Sequence, residues 1–93
     1  NPVLTYPGPG AEVDTAPPTF TWDPLENGAQ YMIQISKSKT FDTIILKPKV
    51  TDTEYTTITS LANGRYFWRV RAYDSSGVKG PWSEIRMFTV AVP

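Results

Sequence analysis

The chain is 93 residues long, 40% apolar and 13% aromatic, with nine Lys and Arg against nine Asp and Glu and neither Cys nor His. That length fits one domain and leaves no room for a second, and the balanced charge offers no electrostatic footprint for nucleic acid or an anionic membrane. Without thiol or imidazole there is no cysteine nucleophile, no histidine base and no zinc or copper site of the usual kind, which leaves only an all-carboxylate site for a hard cation open.

Nine Pro and six Gly are spread along the chain between short stretches of Thr, Val, Ile and aromatic residues, which is strand punctuation. The first strand is expected over Val3 to Thr5. Tyr6-Pro7-Gly8-Pro9-Gly10 is too rigid and too poor in donors to extend it, and Ala11 to Thr15 forms a short edge piece. After Pro17-Pro18, Thr19 to Asp23 alternates, with Phe20 and Trp22 on one face. Pro24 ends that strand and Glu26-Asn27-Gly28 makes a turn.

Ala29 to Ser36 alternates again, with Ala29, Tyr31, Ile33 and Ile35 inward and Gln30, Met32, Gln34 and Ser36 outward. Lys37 to Thr40 is a polar turn, and Phe41 returns to the core. Thr43 to Val50 reads as an edge strand interrupted by Pro48 and guarded by Lys47 and Lys49. Tyr55 to Thr59 is a Thr-rich strand in which Tyr55 and Ile58 share a face only across a bulge. Arg65 to Asp74 has the clearest pattern: Tyr66, Trp68, Val70 and Ala72 form one face, Phe67, Arg69, Arg71 and Tyr73 the other. Ser75-Ser76-Gly77 is a turn, a polar loop runs to Gly80-Pro81, and the last strand covers Ile85 to Val92 with Phe88 and Val90 inward. Seven short strands with turns every 8–12 residues predict an all-β, antiparallel Greek-key sandwich.

Four segments carry a resemblance to a known family. They are Pro18-Thr-Phe-Thr-Trp22-Asp-Pro, Ala29-Gln-Tyr31-Met-Ile33-Gln-Ile35, Leu61-Ala-Asn-Gly64-Arg-Tyr66-Phe-Trp68-Arg-Val70-Arg-Ala72, and Gly80-Pro-Trp82-Ser83 followed by Phe88-Thr-Val90. In this order and spacing the chain resembles a fibronectin type III domain, an immunoglobulin-like sandwich, of the sort found in bacterial and archaeal surface or secreted multidomain proteins. The corner between Leu61 and Tyr66 is one residue tighter than the family's usual one. The resemblance implies that Tyr66 packs inward and sends its hydroxyl back to the backbone near Leu61. No Arg-Gly-Asp tripeptide occurs, so an integrin-binding role does not carry over. Trp82-Ser83 also resembles half of the repeated Trp-Ser motif of class I cytokine receptors, where such a pair interleaves with arginines of the neighbouring strand. Here Glu84-Ile85 stands in place of the second half.

Trp22 and Trp68 lie on inward faces and read as core, since a sugar-stacking platform would put aromatics outward. The acids are scattered through turns and strand ends, so no carboxylate pair flanks a cleft as glycoside hydrolysis requires. Asp74-Ser75-Ser76-Gly77 lacks the further acids of a calcium loop and reads as an Asx-type turn. No catalytic, cofactor-binding or metal-binding residue is expected, and the chain is not expected to be an enzyme.

Two roles remain open. One is a spacer or scaffold joining functional domains of a larger secreted or cell-surface protein, with Pro-rich ends that favour stiff connections. The other is a protein- or carbohydrate-binding module using the outward side of the sheet, where Met32, Phe67, Arg69, Arg71, Trp82 and Met87 form the candidate surface. Arg71 is the expected partner for a guanidinium stack on Trp82, with Arg69 further along. With no initiator Met and no signal peptide, the chain is expected to be a piece of a longer secreted or surface protein. Its expected partners are the neighbouring domains of that chain and a protein or polysaccharide, with no nucleic acid and no membrane insertion. In isolation it is expected to be a monomer.

Overall fold

The computed structural model describes residues 2–13, 19–25, 28–57 and 61–91. Ten β-segments are present and no helix occurs among the described residues: β1 (Leu4–Tyr6), β2 (Ala11–Val13), β3 (Thr19–Trp22), β4 (Gln30–Ser36), β5 (Ile44–Leu46), β6 (Lys49–Val50), β7 (Glu54–Thr56), β8 (Gly64–Tyr73), β9 (Lys79–Trp82) and β10 (Arg86–Val90). They make a small sheet, β1-β3-β7, and a large one, β2-β10-β8-β4-β5, with β6 also on β4 and β9 also on β8. Among the described residues the ten segments follow seven passes of the chain, three of which are split in two.

Each split has a local cause. In the first pass Pro7 and Pro9 lack the N–H a ladder needs, the Tyr6–Pro7 bond is cis and Gly10 has φ +73°. The chain leaves β3 of the small sheet and re-enters beside β10 of the large one. The Arg86 guanidinium donates to the carbonyls of Thr5 and Pro7, 3.3 and 3.2 Å away, and holds that crossover. Pro48 separates β5 from β6, although its carbonyl still accepts from Ile33 N–H at 3.1 Å. The third split lies at Ser83. Its N–H donates to the Val70 carbonyl at 2.8 Å, and its hydroxyl accepts from Val70 N–H at 2.9 Å, so a side chain replaces the missing ladder bond.

Two expectations are corrected here. The β2–β10 pairing is parallel, so the sandwich is not antiparallel throughout. That follows from the crossover, because the first pass joins the large sheet without reversing direction. The loop expected up to Gly80-Pro81 is strand β9, paired to β8 at Lys79 and Trp82, while Ile85 stands outside the strands and is exposed. Pro81 is accommodated because the β8–β9 register shifts there, between the Arg71–Trp82 and Tyr73–Lys79 pairs, which is where a strand tolerates a missing donor. The expectations for Asp14, Thr15, Pro17, Pro18, Glu26, Asn27, Ile58, Thr59 and Val92 fall outside the described residues.

The core lies between the sheets. Phe20, Trp22, Tyr31, Ile33, Ile35, Leu61, Tyr66, Trp68, Val70, Ala72, Phe88 and Val90 are buried together, joined by Leu4 and Val13. Phe20 sits edge-on to Trp68 at 5.1 Å and to Phe88 at 5.2 Å, Tyr66 stacks on Phe88 at 5.5 Å, and Trp22 meets Tyr31 edge-on at 5.8 Å. Such pairs contribute about 0.5–1.5 kcal/mol each beyond their buried area. The Tyr66 hydroxyl donates to the Ala62 carbonyl at 2.6 Å, one residue from the expected acceptor.

Four side chains differ from expectation in burial or in the face they join. Ala29 precedes β4 and is exposed. Ser36 keeps its outward register opposite Phe67 but is fully buried, because the turn into β5 closes over it: its hydroxyl donates to the Thr43 carbonyl at 2.7 Å and accepts from Ser38 N–H at 3.0 Å. Tyr73 points outward but is buried, with the Lys49 ammonium 4.0 Å above its ring. Phe41 is buried apart from the core cluster, with φ +59° and the Arg69 guanidinium 4.1 Å from its ring centre. The backbone at Phe41 turns its ring onto the outer side of the large sheet.

Candidate functional site

The outer face of the large sheet is built from rows that cross its strands. The pairings put Lys49 opposite Met32, Met32 opposite Arg71 and Arg71 opposite Trp82, so these four residues from β6, β4, β8 and β9 form one row. Gln34 and Arg69 make the next row, Ser36, Phe67 and Met87 the third, and Arg65, Thr89 and Glu12 the fourth. Met32, Phe67, Arg69, Arg71, Trp82 and Met87 therefore share one face, as the period-2 pattern requires.

The arginines are held in a stack. The Arg69 guanidinium carbon is 4.1 Å from the ring centres of both Phe41 and Trp82, and that of Arg71 is 4.2 Å from the Trp82 centre. Arg69 and Arg71 are two residues apart on β8, about 7 Å along the strand. The Trp82 indole therefore lies within cation–π distance of both guanidinium groups, and Arg69 bridges the rings of Phe41 and Trp82. Gln34 fixes Arg69 in the plane of the stack, its side-chain oxygen accepting from Nε at 3.1 Å and from Nη2 at 2.8 Å. Burial and the neighbouring Arg71 charge together push Arg69 below its ordinary pKa. Arg71 was the partner expected for Trp82; the structure puts both arginines on it.

Among the described residues no carboxylate pairs with these cations: the one ion pair joins Arg86 to Glu84 at 2.6 Å, off this face, and the buried Arg71 Nε finds no hydrogen-bond partner. Lys49 is exposed and Arg69 and Arg71 are half-buried.

A second feature lies at the end of the sandwich where β3 leads to β4 and β8 to β9. A cleft of about 340 Å³ there is lined by Leu25, Gly28, Ala72, Tyr73, Asp74, Val78, Lys79 and Gly80. Among the described residues its one carboxylate is committed to the turn: Asp74 Oδ1 accepts from Ser76 N–H at 2.8 Å and Val78 N–H at 3.0 Å, and Gly77 has φ +85°. This is the Asx-type turn expected of the segment. Among the described residues no three acidic groups stand close enough to hold a metal ion.

Sequence reasoning missed Gln34, Phe41 and Lys49 as members of the outer-face assembly. Gln34 was legible as outward, but its partner depends on the β4–β8 register. Lys49 read only as an edge guard, and Phe41 only as core, because a single aromatic after a polar turn carries no sign of which face it will join.

The sequence profile described as "Rha78A-like, N-terminal immunoglobulin domain" matches residues 6–93. No curated protein matches the chain in sequence. Among solved structures, an Fn3-like protein from Clostridium thermocellum is similar with a TM-score of 0.66 at 23% identity, over 99% of this chain and 91% of that one. An α-L-rhamnosidase from Dictyoglumus thermophilum superposes with a TM-score of 0.70 at 20% identity, over 99% of this chain and 12% of the enzyme. One from Streptomyces avermitilis, complexed with L-rhamnose, gives 0.63 at 20% identity over 98% and 10%. At these identities the likeness is one of fold, the fibronectin type III sandwich.

Proposed function

The chain belongs to the family of Rha78A-like N-terminal immunoglobulin domains, and from that premise we propose that it is a non-catalytic module of a larger secreted or cell-surface protein, a spacer and scaffold for neighbouring domains that include a glycosidase. The observation that carries the reading is where the two ends lie. Val3 accepts from Asp23 N–H beside the β3–β4 connection, while Val90 pairs with Gly64 at the start of β8, the opposite end of the sandwich. The body measures 43 × 23 × 21 Å. A domain entered at one end and left at the other sets a distance between its neighbours, and its rigidity sets their orientation.

The chemistry of the side chains supports the same reading. Glycoside hydrolysis needs two carboxylates on either side of a scissile bond, and among the described residues the cleft offers one, Asp74, bound to its own turn. A carbohydrate-binding role on the outer face is disfavoured by the same geometry, because sugars stack on open aromatic faces and two guanidinium groups already rest on the Trp82 ring.

Two measurements test the proposal. The isolated chain should release no nitrophenol from p-nitrophenyl α-L-rhamnoside above the buffer rate, and any protein-dependent release removes the non-catalytic reading. In the parent protein, replacing this module by a Gly/Ser linker of equal reach should broaden the interdomain distance seen by small-angle scattering. It should leave the active-site chemistry of the neighbour intact. An unchanged distance distribution would remove the spacer reading.

A further inference from the structure

We propose that the outer face of the large sheet is a docking surface for a carboxylate-bearing surface of another protein domain, centred on Lys49, Arg69 and Arg71. The face carries three cations in two adjacent rows and no acidic group in either: Lys49 and Arg71 flank Met32, and Arg69 lies in the row beside them. Strands are about 4.8 Å apart, so Lys49 and Arg71 stand about 10 Å apart across β4. That spacing suits two carboxylates on one opposing strand or helix face. Arg69 and Arg71 stand side by side on β8 with no carboxylate paired to them among the described residues, and an arriving carboxylate relieves their repulsion.

The remaining side chains select a protein over an acidic glycan. A glycan needs open aromatic faces, and three rings on this side are capped by cations: Phe41 by Arg69, Trp82 by Arg69 and Arg71, and Tyr73 by Lys49. Half-buried Met32 lies between Lys49 and Arg71, and half-buried Phe67 and Met87 continue the surface in the row beyond Arg69. Arg, Met and aromatic residues are the types enriched in protein–protein interfaces. The Gln34 clamp and the stack hold the guanidinium planes in place before any partner arrives. The inference stands apart from the spacer reading, since it concerns the isolated chain and survives or fails without the parent protein.

The experiment is a titration of the isotope-labelled chain with poly-L-glutamate at low salt, followed by nuclear magnetic resonance of the arginine Nε–H and tryptophan indole signals. The Arg69, Arg71 and Trp82 signals should shift saturably. Arg71→Gln and Lys49→Gln should each weaken binding about tenfold, the effect of one lost charge-assisted hydrogen bond. Lys39→Gln, with the same change of net charge on the turn after β4, should leave affinity within about twofold, the scale of a screened exposed charge. Lys49 does not touch Trp82, so its variant keeps the test valid even where Arg71→Gln disturbs the stack. Equal weakening by Lys39→Gln would reduce the effect to net charge and overturn the site. Shifts with oligogalacturonate but not with poly-L-glutamate would assign the face to an acidic glycan and overturn the protein partner, and no shift with either would overturn both.

Discussion

Removing the Tyr66 hydroxyl tests how the corner before β8 is held. The ring is 1% exposed, stacked on Phe88, and its hydroxyl donates to the Ala62 carbonyl at 2.6 Å. Tyr66→Phe keeps the ring and deletes that bond. The net worth of a hydrogen bond is about 0.5–1.5 kcal/mol, and a stranded buried acceptor adds to the loss. Ala62 is exposed, so water recovers part of the acceptor's cost. The expected destabilisation is therefore about 1–2 kcal/mol, which at the urea slope of a small domain lowers the unfolding midpoint by about 1–2 M with an unchanged slope. Burial raises the Tyr66 phenol above its ordinary pKa. In the unfolded chain the phenol ionises near pH 10. Above that pH the unfolded state has released a proton that the folded state still holds. The Tyr66 contribution is thus fully present below about pH 10 and is lost as pH rises through the folded-state value. The gap between wild type and Tyr66→Phe should narrow above pH 10. An unchanged midpoint at neutral pH, or a gap that stays constant into alkali, would refute the reasoning.

Other substitutions read out the remaining joints. Double-mutant cycles on Arg71→Ala with Trp82→Ala, and on Arg69→Ala with Trp82→Ala, should each give a coupling of about 0.5–1 kcal/mol by denaturation; additivity in both would rule out the stack as an energetic unit. Ser83→Ala should cost about 1–3 kcal/mol, since it strips Val70 N–H of its acceptor in a buried position, and hydrogen exchange at Val70 should accelerate ahead of its strand neighbours. A Cβ on Gly28 would lie 2.6 Å from the Tyr31 hydroxyl oxygen, which accepts from Leu25 N–H at 3.0 Å. Gly28→Ala should therefore destabilise by about 1–2 kcal/mol through overpacking, and retention of full stability would mean that Tyr31 moves freely.

The core was legible because alternation is a local signal: Phe20 with Trp22, the odd positions from Tyr31 to Ile35 and the even ones from Tyr66 to Ala72 each declare a buried face within a few residues. Proline placed the breaks at Tyr6–Gly10 and at Pro48 for equally local reasons. Failures came where position depends on something distant. Ser36 and Ala29 obey the alternation in sequence, but Ser36 is covered by the turn that its hydroxyl ties to the Thr43 carbonyl, and the strand begins only after Ala29. Strand β9 was hidden because Gly80-Pro81 carries turn chemistry, and only the hydroxyl of Ser83, pairing with Val70 across the sheet, lets an edge segment continue there. The stack itself was half legible. Arg69, Arg71 and Trp82 could be set on one face from spacing, whereas Phe41 and Gln34 complete it through register and a positive φ that no local pattern announces.

That a stack exists in the isolated domain does not set stability against recognition. An arginine side chain carries about 2 kcal/mol of rotamer entropy, lost when it is ordered. Arg69 and Arg71 lose theirs on folding, to Gln34, Phe41 and Trp82, so a carboxylate meeting them later finds donors already fixed in direction and forfeits less on binding. The like-charge repulsion between them is tolerated because each guanidinium rests against an aromatic face whose negative quadrupole offsets part of it. The cost that remains, two like charges side by side with no carboxylate among the described residues, falls on the free domain and lifts when an anion arrives. A stack made only for stability would be better served by one arginine on Trp82 and a neutral residue in place of the other, and the second arginine is the residue whose presence the fold alone does not explain.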